Sequence, residues 1–169
     1  MSSSTSCLAV IAAASLTFQP SLAADSGIPK NCRARIDAEI PGWRLSPPPD
    51  DLAAEAKREK LETNRLRADL DDDGILDTAV LLVAPGKEAS THCIAICLDR
   101  KTQPELHLIR EPYCWDGIAV APKGRKAHDY RTDKTFDYPT NGVHAYCYEK
   151  AGGTYLYRSG RFELVVDSD

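Results

Sequence analysis

The chain carries none of the short motifs that mark the common catalytic centres. Its four histidines, His92, His107, His128 and His144, show neither HxH nor HExxH spacing, so no zinc-hydrolase signature is present. A GxSxG nucleophile elbow and a Walker A phosphate loop are absent, and no GxGxxG stands before an acidic partner. Charge of one sign is not in excess: 21 Lys and Arg face 25 Asp and Glu, for a net charge of −4. That balance implies neither nucleic acid nor an anionic membrane as a partner. No internal repeat recurs, which argues against a propeller, because blades come in series. Aromatic residues make up only 7 % of the chain, and most of them gather toward its C-terminal end.

Charge is missing altogether from residues 1–24. An apolar run from Cys7 to Phe18 is followed by Gln19-Pro20-Ser21-Leu22-Ala23-Ala24. The run is shorter than the roughly 20 residues of a membrane span. Small residues at Ser21 and Ala23 fit a secretory cleavage site, so residues 1–24 are expected to be a signal peptide cut after Ala23 or Ala24. The usual basic n-region is lacking, and a disordered tail is the alternative. No cysteine follows the cut, so a lipid anchor is not expected. The length of 169 residues then leaves 25–169 as a single domain, exported to the periplasm or outside the cell, with no membrane span.

Export makes the cysteine count odd. Cys7 leaves with the leader, and Cys32, Cys93, Cys97, Cys114 and Cys147 remain. In an oxidising compartment two disulfides and one thiol are expected. A zinc site at Cys93-x-x-x-Cys97 lacks a second ligand pair. On one strand these two would share a face about 13 Å apart, beyond the ~7 Å Cα limit of a disulfide. Each must pair elsewhere or stay free. Cys97 with Cys114 is the first expected pair.

What the chain does have is the stretch Asp69-Leu70-Asp71-Asp72-Asp73-Gly74-Ile75-Leu76-Asp77. Counted from Asp69, carboxylates stand at positions 1, 3, 5 and 9, with glycine at position 6. A hard cation such as Ca²⁺ takes six to eight oxygens at roughly 2.3–2.6 Å. Alternate side chains of a tightly curled loop converge on one point, and Gly74 permits the sharp turn. Asp and Gly also form plain surface turns. Five aspartates within nine residues, however, repel one another unless a cation sits among them.

The pattern resembles the DxDxDGxxD calcium loop of EF-hands, dockerin repeats and the FG-GAP (integrin-type) and VCBS repeats. The resemblance covers the loop and its flanks, about a dozen residues. It implies Asp69, Asp71, Asp73 and Asp77 as side-chain ligands and Ile75 as a carbonyl ligand, with Ca²⁺ as the cofactor. Position 12, where an EF-hand has a bidentate glutamate, is Val80. The ligands end at position 9, and Thr78-Ala79-Val80-Leu81-Leu82-Val83 reads as a buried strand, not an exiting helix. Both points favour the FG-GAP type, and the missing glutamate implies a weaker site.

The remaining pattern predicts an α+β fold. Residues 25–36 read as a polar lead-in, and Ile40–Leu45 as an extended piece anchored by Trp43. Ser46-Pro47-Pro48-Pro49 stops either regular structure. One short helix is predicted near 51–61, rich in Ala, Glu and Lys behind an aspartate cap. Asn64–Ala68 and the strand after the acidic loop form a DxDxDG hairpin. Alternating segments at His92–Leu98, Glu105–Arg110, Trp115–Val120, Val143–Glu149, Thr154–Arg158 and Phe162–Val166 complete a mostly antiparallel sheet of about six to eight strands. Lys126–Pro139 reads as loop with one extended piece. Asn141-Gly142 signals a type I′ hairpin, and Gly152-Gly153 and Ser159-Gly160 read as turns.

Three functional classes remain. The leading one is a small non-enzymatic binding or structural module with one structural calcium loop. The alternative is an interaction or inhibitor protein whose tyrosine-rich sheet face, with Tyr146 and Tyr148 beside Tyr155 and Tyr157, binds a cell-envelope protein or a glycan. Amphipathic sheet packing explains the same tyrosines. The third is a metal-dependent hydrolase, which needs an open metal position beside a base. His128-Asp129 is the one adjacent pair that could orient a base, and it also fits a solvated turn.

Overall fold

Ile28, Cys32, Ile36 and Ile40 recur at every fourth position, and all four are buried. That spacing puts them on one stripe of a helix. In the computed structural model, which describes residues 27–59, 63–85, 91–110, 115–147 and 151–168, Cys32 and Ile36 lie on α1 (Lys30–Glu39), and Ile28 and Ile40 flank it. Most of this helix falls in residues 25–36, which by pattern read as a polar lead-in, so a helix here is a correction. Lys30, Arg33, Arg35, Asp37 and Glu39 stand between the stripe positions, and their polarity masks it. The expected leader at 1–24, Cys114 and Tyr148 lie outside the described residues.

The other elements follow in order. They are β1 (Arg44–Leu45), α2 (Asp50–Glu59), β2 (Arg65–Ala68), β3 (Asp77–Ala84), β4 (Thr91–Leu98), β5 (Glu105–Ile109) and β6 (Gly117–Ala121). Next come β7 (Lys126–Asp129), β8 (Lys134–Asp137), β9 (Gly142–Cys147), β10 (Ala151–Arg158) and β11 (Arg161–Ser168). The fold is α+β with antiparallel sheets, as expected. Among the described residues it has eleven strands, more than the six to eight predicted, and a helix beyond the predicted one. The extra strands are short: β1 has two residues, and Lys126–Pro139 folds as a β7–β8 hairpin of its own.

In the first sheet β3 pairs with β4, and β4 with β5. The other edge of β3 is shared end to end: β1 pairs with Val83 and Leu82, and β2 with residues Val80 to Asp77. The second sheet runs β11-β10-β9-β6. The two sheets pack face to face. Leu66, Leu81, Ile94 and Ile96 of the first meet Ile118, Val143, Ala145 and Tyr155 of the second. Helix α1 covers the other face of the first sheet, against Val80, Leu82 and Ala95. With both faces covered, β3 is buried from Asp77 to Val83 and reads as a continuous apolar run. The β7–β8 hairpin covers part of the outer face of the second sheet, through Ala127 and the following Tyr138, against Ala121, Leu156 and Val165.

The disulfide pairing differs from expectation. Cys97 bonds Cys32, not Cys114, with Cα atoms 5.8 Å apart. Cys97 and Cys93 share the face of β4 that α1 covers, and α1 brings Cys32 onto it. Among the described cysteines Cys93 is free and buried, and its burial pushes its pKa up against the pull of Arg110. Cys147 is also disulfide-bonded.

Two turn expectations are also corrected. Asn141-Gly142 makes no type I′ turn, because Gly142 lacks the positive φ this turn needs and instead begins β9. Glycine is required there because a Cβ would come within 2.5 Å of Thr154 Cγ2. Gly152-Gly153 lies inside β10 at a register shift opposite β11. Ser159-Gly160, with φ of 51° and 85°, is the tight turn that closes β10 on β11.

The tyrosines do not form one ladder. Tyr146 pairs across to Gly152, on the outer face of the second sheet, whereas Tyr155 and Tyr157 point into the core between the sheets. Tyr138 and Tyr155 are buried, and Tyr130 is the large exposed ring among the described tyrosines.

Candidate metal centre

The acidic loop joins β2 to β3, as the hairpin reading required. Leu70, fully buried, anchors one end, and Asp77 opens β3 at the other. Between them Asp72 and Gly74 take positive φ of 66° and 84°, which curls the backbone tightly. The curl turns the N–H groups inward. Asp69 Oδ1 accepts from Asp73 N–H at 3.1 Å and its Oδ2 from Gly74 N–H at 2.9 Å. Asp71 Oδ1 accepts from Asp73 N–H at 3.3 Å, and Asp73 Oδ1 from Ile75 N–H at 2.8 Å.

Asp69, Asp71 and Asp77 each offer a carboxylate oxygen such that all three lie within 4.8 Å of one another. Oxygens sharing one Ca²⁺ at roughly 2.3–2.6 Å are at most ~5 Å apart. The hard, anionic donor set and its spacing therefore fit a divalent cation. Three of the four expected side-chain ligands come together. The fourth, Asp73, is not in the triad: its second oxygen lies 3.4 Å from Arg100. Ile75 stands at the seventh loop position with its N–H bonded to Asp73.

Asp77 is the buried member, 1 % exposed. Its oxygens accept from Leu70 N–H and Asp99 N–H, both at 2.8 Å. Burial raises its pKa to about 6, only partly offset by these two bonds, while Asp71 and Asp73 push it further up.

Basic partners that no sequence pattern signalled surround the loop. The Arg100 guanidinium bonds Asp71 and reaches Asp73, Glu105 at 3.2 Å and the Tyr157 hydroxyl at 3.4 Å. Partial burial opposes its charge, but Glu105 and Asp71 hold its pKa above the usual value. Lys123 Nζ pairs with Asp72 at 2.6 Å. Asn141 Nδ2 donates to the Asp69 carbonyl at 2.8 Å and its Oδ1 accepts from Lys123 N–H, which ties the loop to the second sheet. Arg100 and Lys123 stand 29 and 51 residues from their aspartates, so only the folded topology brings them there.

His128 and Asp129 do not form an orienting pair. His128 contacts Thr135 and Asp133, while Asp129 accepts from Thr132 Oγ1 and Arg131 N–H. An open cleft of about 530 Å³ lies there, lined by Asp129, Thr132, Lys134, Thr135, Phe136 and Arg158, and no loop aspartate lines it. Comparison of the chain with protein-family models, with curated proteins and with solved structures returns no match.

Proposed function

We propose that the Asp69–Asp77 loop binds Ca²⁺ and that the ion pins the β2–β3 hairpin of a small exported module. The convergence of Asp69, Asp71 and Asp77 to within 4.8 Å carries this reading. Asp77 adds to it: a buried carboxylate pushed up to about 6 is costly when ionised, and a neighbouring divalent charge offsets that cost. Asp73 and the Ile75 carbonyl complete the ligand set in this reading, once Asp73 turns from Arg100. The ion supplies fixed positive charge, and the chain supplies the curl, the oxygens and the buried anchor. Stabilisation follows RT ln(1 + [L]/Kd), about 2.7 kcal/mol at a hundredfold excess over Kd. The Cys32–Cys97 disulfide agrees with an oxidising compartment outside the cytoplasm. In this reading the module acts by binding, toward a cell-envelope protein or a glycan, and not by catalysis.

Calorimetric Ca²⁺ titration tests the proposal. The chain should show a single site, with Kd near the ~10⁻⁴–10⁻³ M common in extracellular modules. An Asp71→Ala, Asp73→Ala double variant should show none. No heat in the parent, and the same melting temperature with and without millimolar Ca²⁺, would remove the metal from the account. A second reading rests on Arg100. Its bonds to Asp71 and Asp73 make it an internal counter-ion, and the loop then folds without metal.

A further inference from the structure

The cleft of about 530 Å³ beside the β7–β8 hairpin has a frame fixed from within. Asp129, buried in its wall, accepts from Arg131 N–H at 3.1 Å and from the Thr132 hydroxyl at 2.8 Å. Thr132 N–H donates to the Asp129 carbonyl at 3.2 Å, and Tyr130 N–H donates to the Val166 carbonyl at 3.0 Å, which ties the hairpin turn to β11. Successive side chains of a strand point to opposite faces. With Tyr155 and Tyr157 in the core between the sheets, Arg158 projects from the outer face, and its guanidinium lies over the Phe136 ring, 4.9 Å from the centroid. The charges of this cleft are not balanced. Arg100, Lys123 and Arg161, the last being the cross-strand partner of Arg158, each pair with a carboxylate. Lys134 and Arg158 line the cleft and pair with none among the described residues. Asp129, the acid in the lining, commits both oxygens to its own turn. The contact of Arg158 with Phe136 uses its charge and leaves its N–H fork without an acceptor among the described residues.

We propose that this cleft binds a small organic oxyanion, with its carboxylate or phosphate on Arg158 and Lys134 and its carbon body against Phe136. Two cations brought to one concave surface raise the local positive potential, and an anion there gains from both. The guanidinium fork matches two oxygens of a carboxylate or a phosphate, and the Lys134 ammonium adds a point charge. Thr132 and Thr135 place hydroxyl groups in the same lining. The volume falls within the roughly 300–1,000 Å³ of small-molecule sites. A bare phosphate or acetate does not fill it, so the ligand carries a body as well as a charge. Phe136, half-buried and packed on Tyr138 with ring centroids 5.9 Å apart, is the apolar surface for that body. No aspartate of the 69–77 loop lines the cleft, so this site is independent of the metal.

Amide NMR titration of the full chain at low salt, in chelator, tests this with probes of one shape: benzoate, phenyl phosphate and the neutral benzamide. At least one of the two anions should bind saturably, with shifts at the β7–β8 turn and at Arg158, and about tenfold or more tightly than benzamide. The anion preferred identifies the group as carboxylate or phosphate. Acetate and inorganic phosphate, which lack the ring, should bind more weakly than benzoate and phenyl phosphate. Arg158→Gln should weaken the preferred anion about tenfold or more, and Lys134→Gln, at an exposed position, severalfold. No saturable binding of either anion, benzamide bound as tightly as the anions, ringless anions bound as tightly as their ring-bearing counterparts, or unchanged affinity in both variants would each overturn the proposal.

Discussion

Asp77 is a carboxylate placed where its charge is costly. With a folded pKa of about 6 against an ordinary 3.8, the folded state binds its proton more tightly than the unfolded chain does. Its contribution to stability is therefore full below the ordinary value and is lost as pH rises through about 6. In chelator, this difference amounts to about 3 kcal/mol, and Asp77→Asn should flatten that part of the stability–pH curve measured by urea unfolding. Arg100 acts on the same loop from outside. If it competes with a cation for Asp71, Arg100→Met should tighten Ca²⁺ binding severalfold in calorimetry. If it is the resident counter-ion, the same variant should bind no Ca²⁺ and lose stability, because Asp71, with a side chain 3 % exposed, is left unpaired.

At the scale of elements, α1 is held by its buried stripe and not by capping: Pro29 at its N-cap makes no side-chain cap bond, and neither terminal turn carries a favourable charge. Trp43 Nε1 donates to Asp37 at 2.7 Å and Arg33 lies over the Trp43 ring, which fastens the chain leaving the helix. Ile36, fully buried against the first sheet, is then the main anchor. Ile36→Ala should cost about 3 kcal/mol in chemical denaturation. An exposed position of the same helix, such as Arg35→Ala, should cost under about 0.5 kcal/mol.

For the whole molecule, the Cys32–Cys97 bond closes a sequence separation of 65 residues and ties α1 across the face of β4. On the chain-entropy estimate a loop of that size contributes about 4 kcal/mol. A Cys32→Ser, Cys97→Ser double variant should lower unfolding free energy by about that amount. The loop spans the acidic hairpin, so losing the bond loosens the frame that carries the proposed metal site as well. Ca²⁺ affinity in the double variant should fall less than stability does, because the curl of residues 69–77 is set by local hydrogen bonds.

Much of the fold is legible in one dimension because its signals are local. The continuous apolar run of β3 and the period-two runs of β4, β9, β10 and β11 place these strands within a few residues of their bounds, and the acidic loop lies between two strands as its pattern implies. The every-fourth-residue stripe of α1 was equally present in the sequence, under a polar surface. What sequence alone determined is the loop: the positions of its aspartates, the glycine that lets it curl, and the strand that follows. What only the tertiary structure decided is its electrostatic setting. Asp77 is buried because sheet packing covers the start of β3, and Arg100, Lys123 and Asn141 reach the loop because distant segments converge on it. The disulfide and the meeting of Lys134 with Arg158 at one cleft were settled in the same way. Contacts between segments far apart along the chain depend on which faces the sheets bury, and no local spacing encodes that.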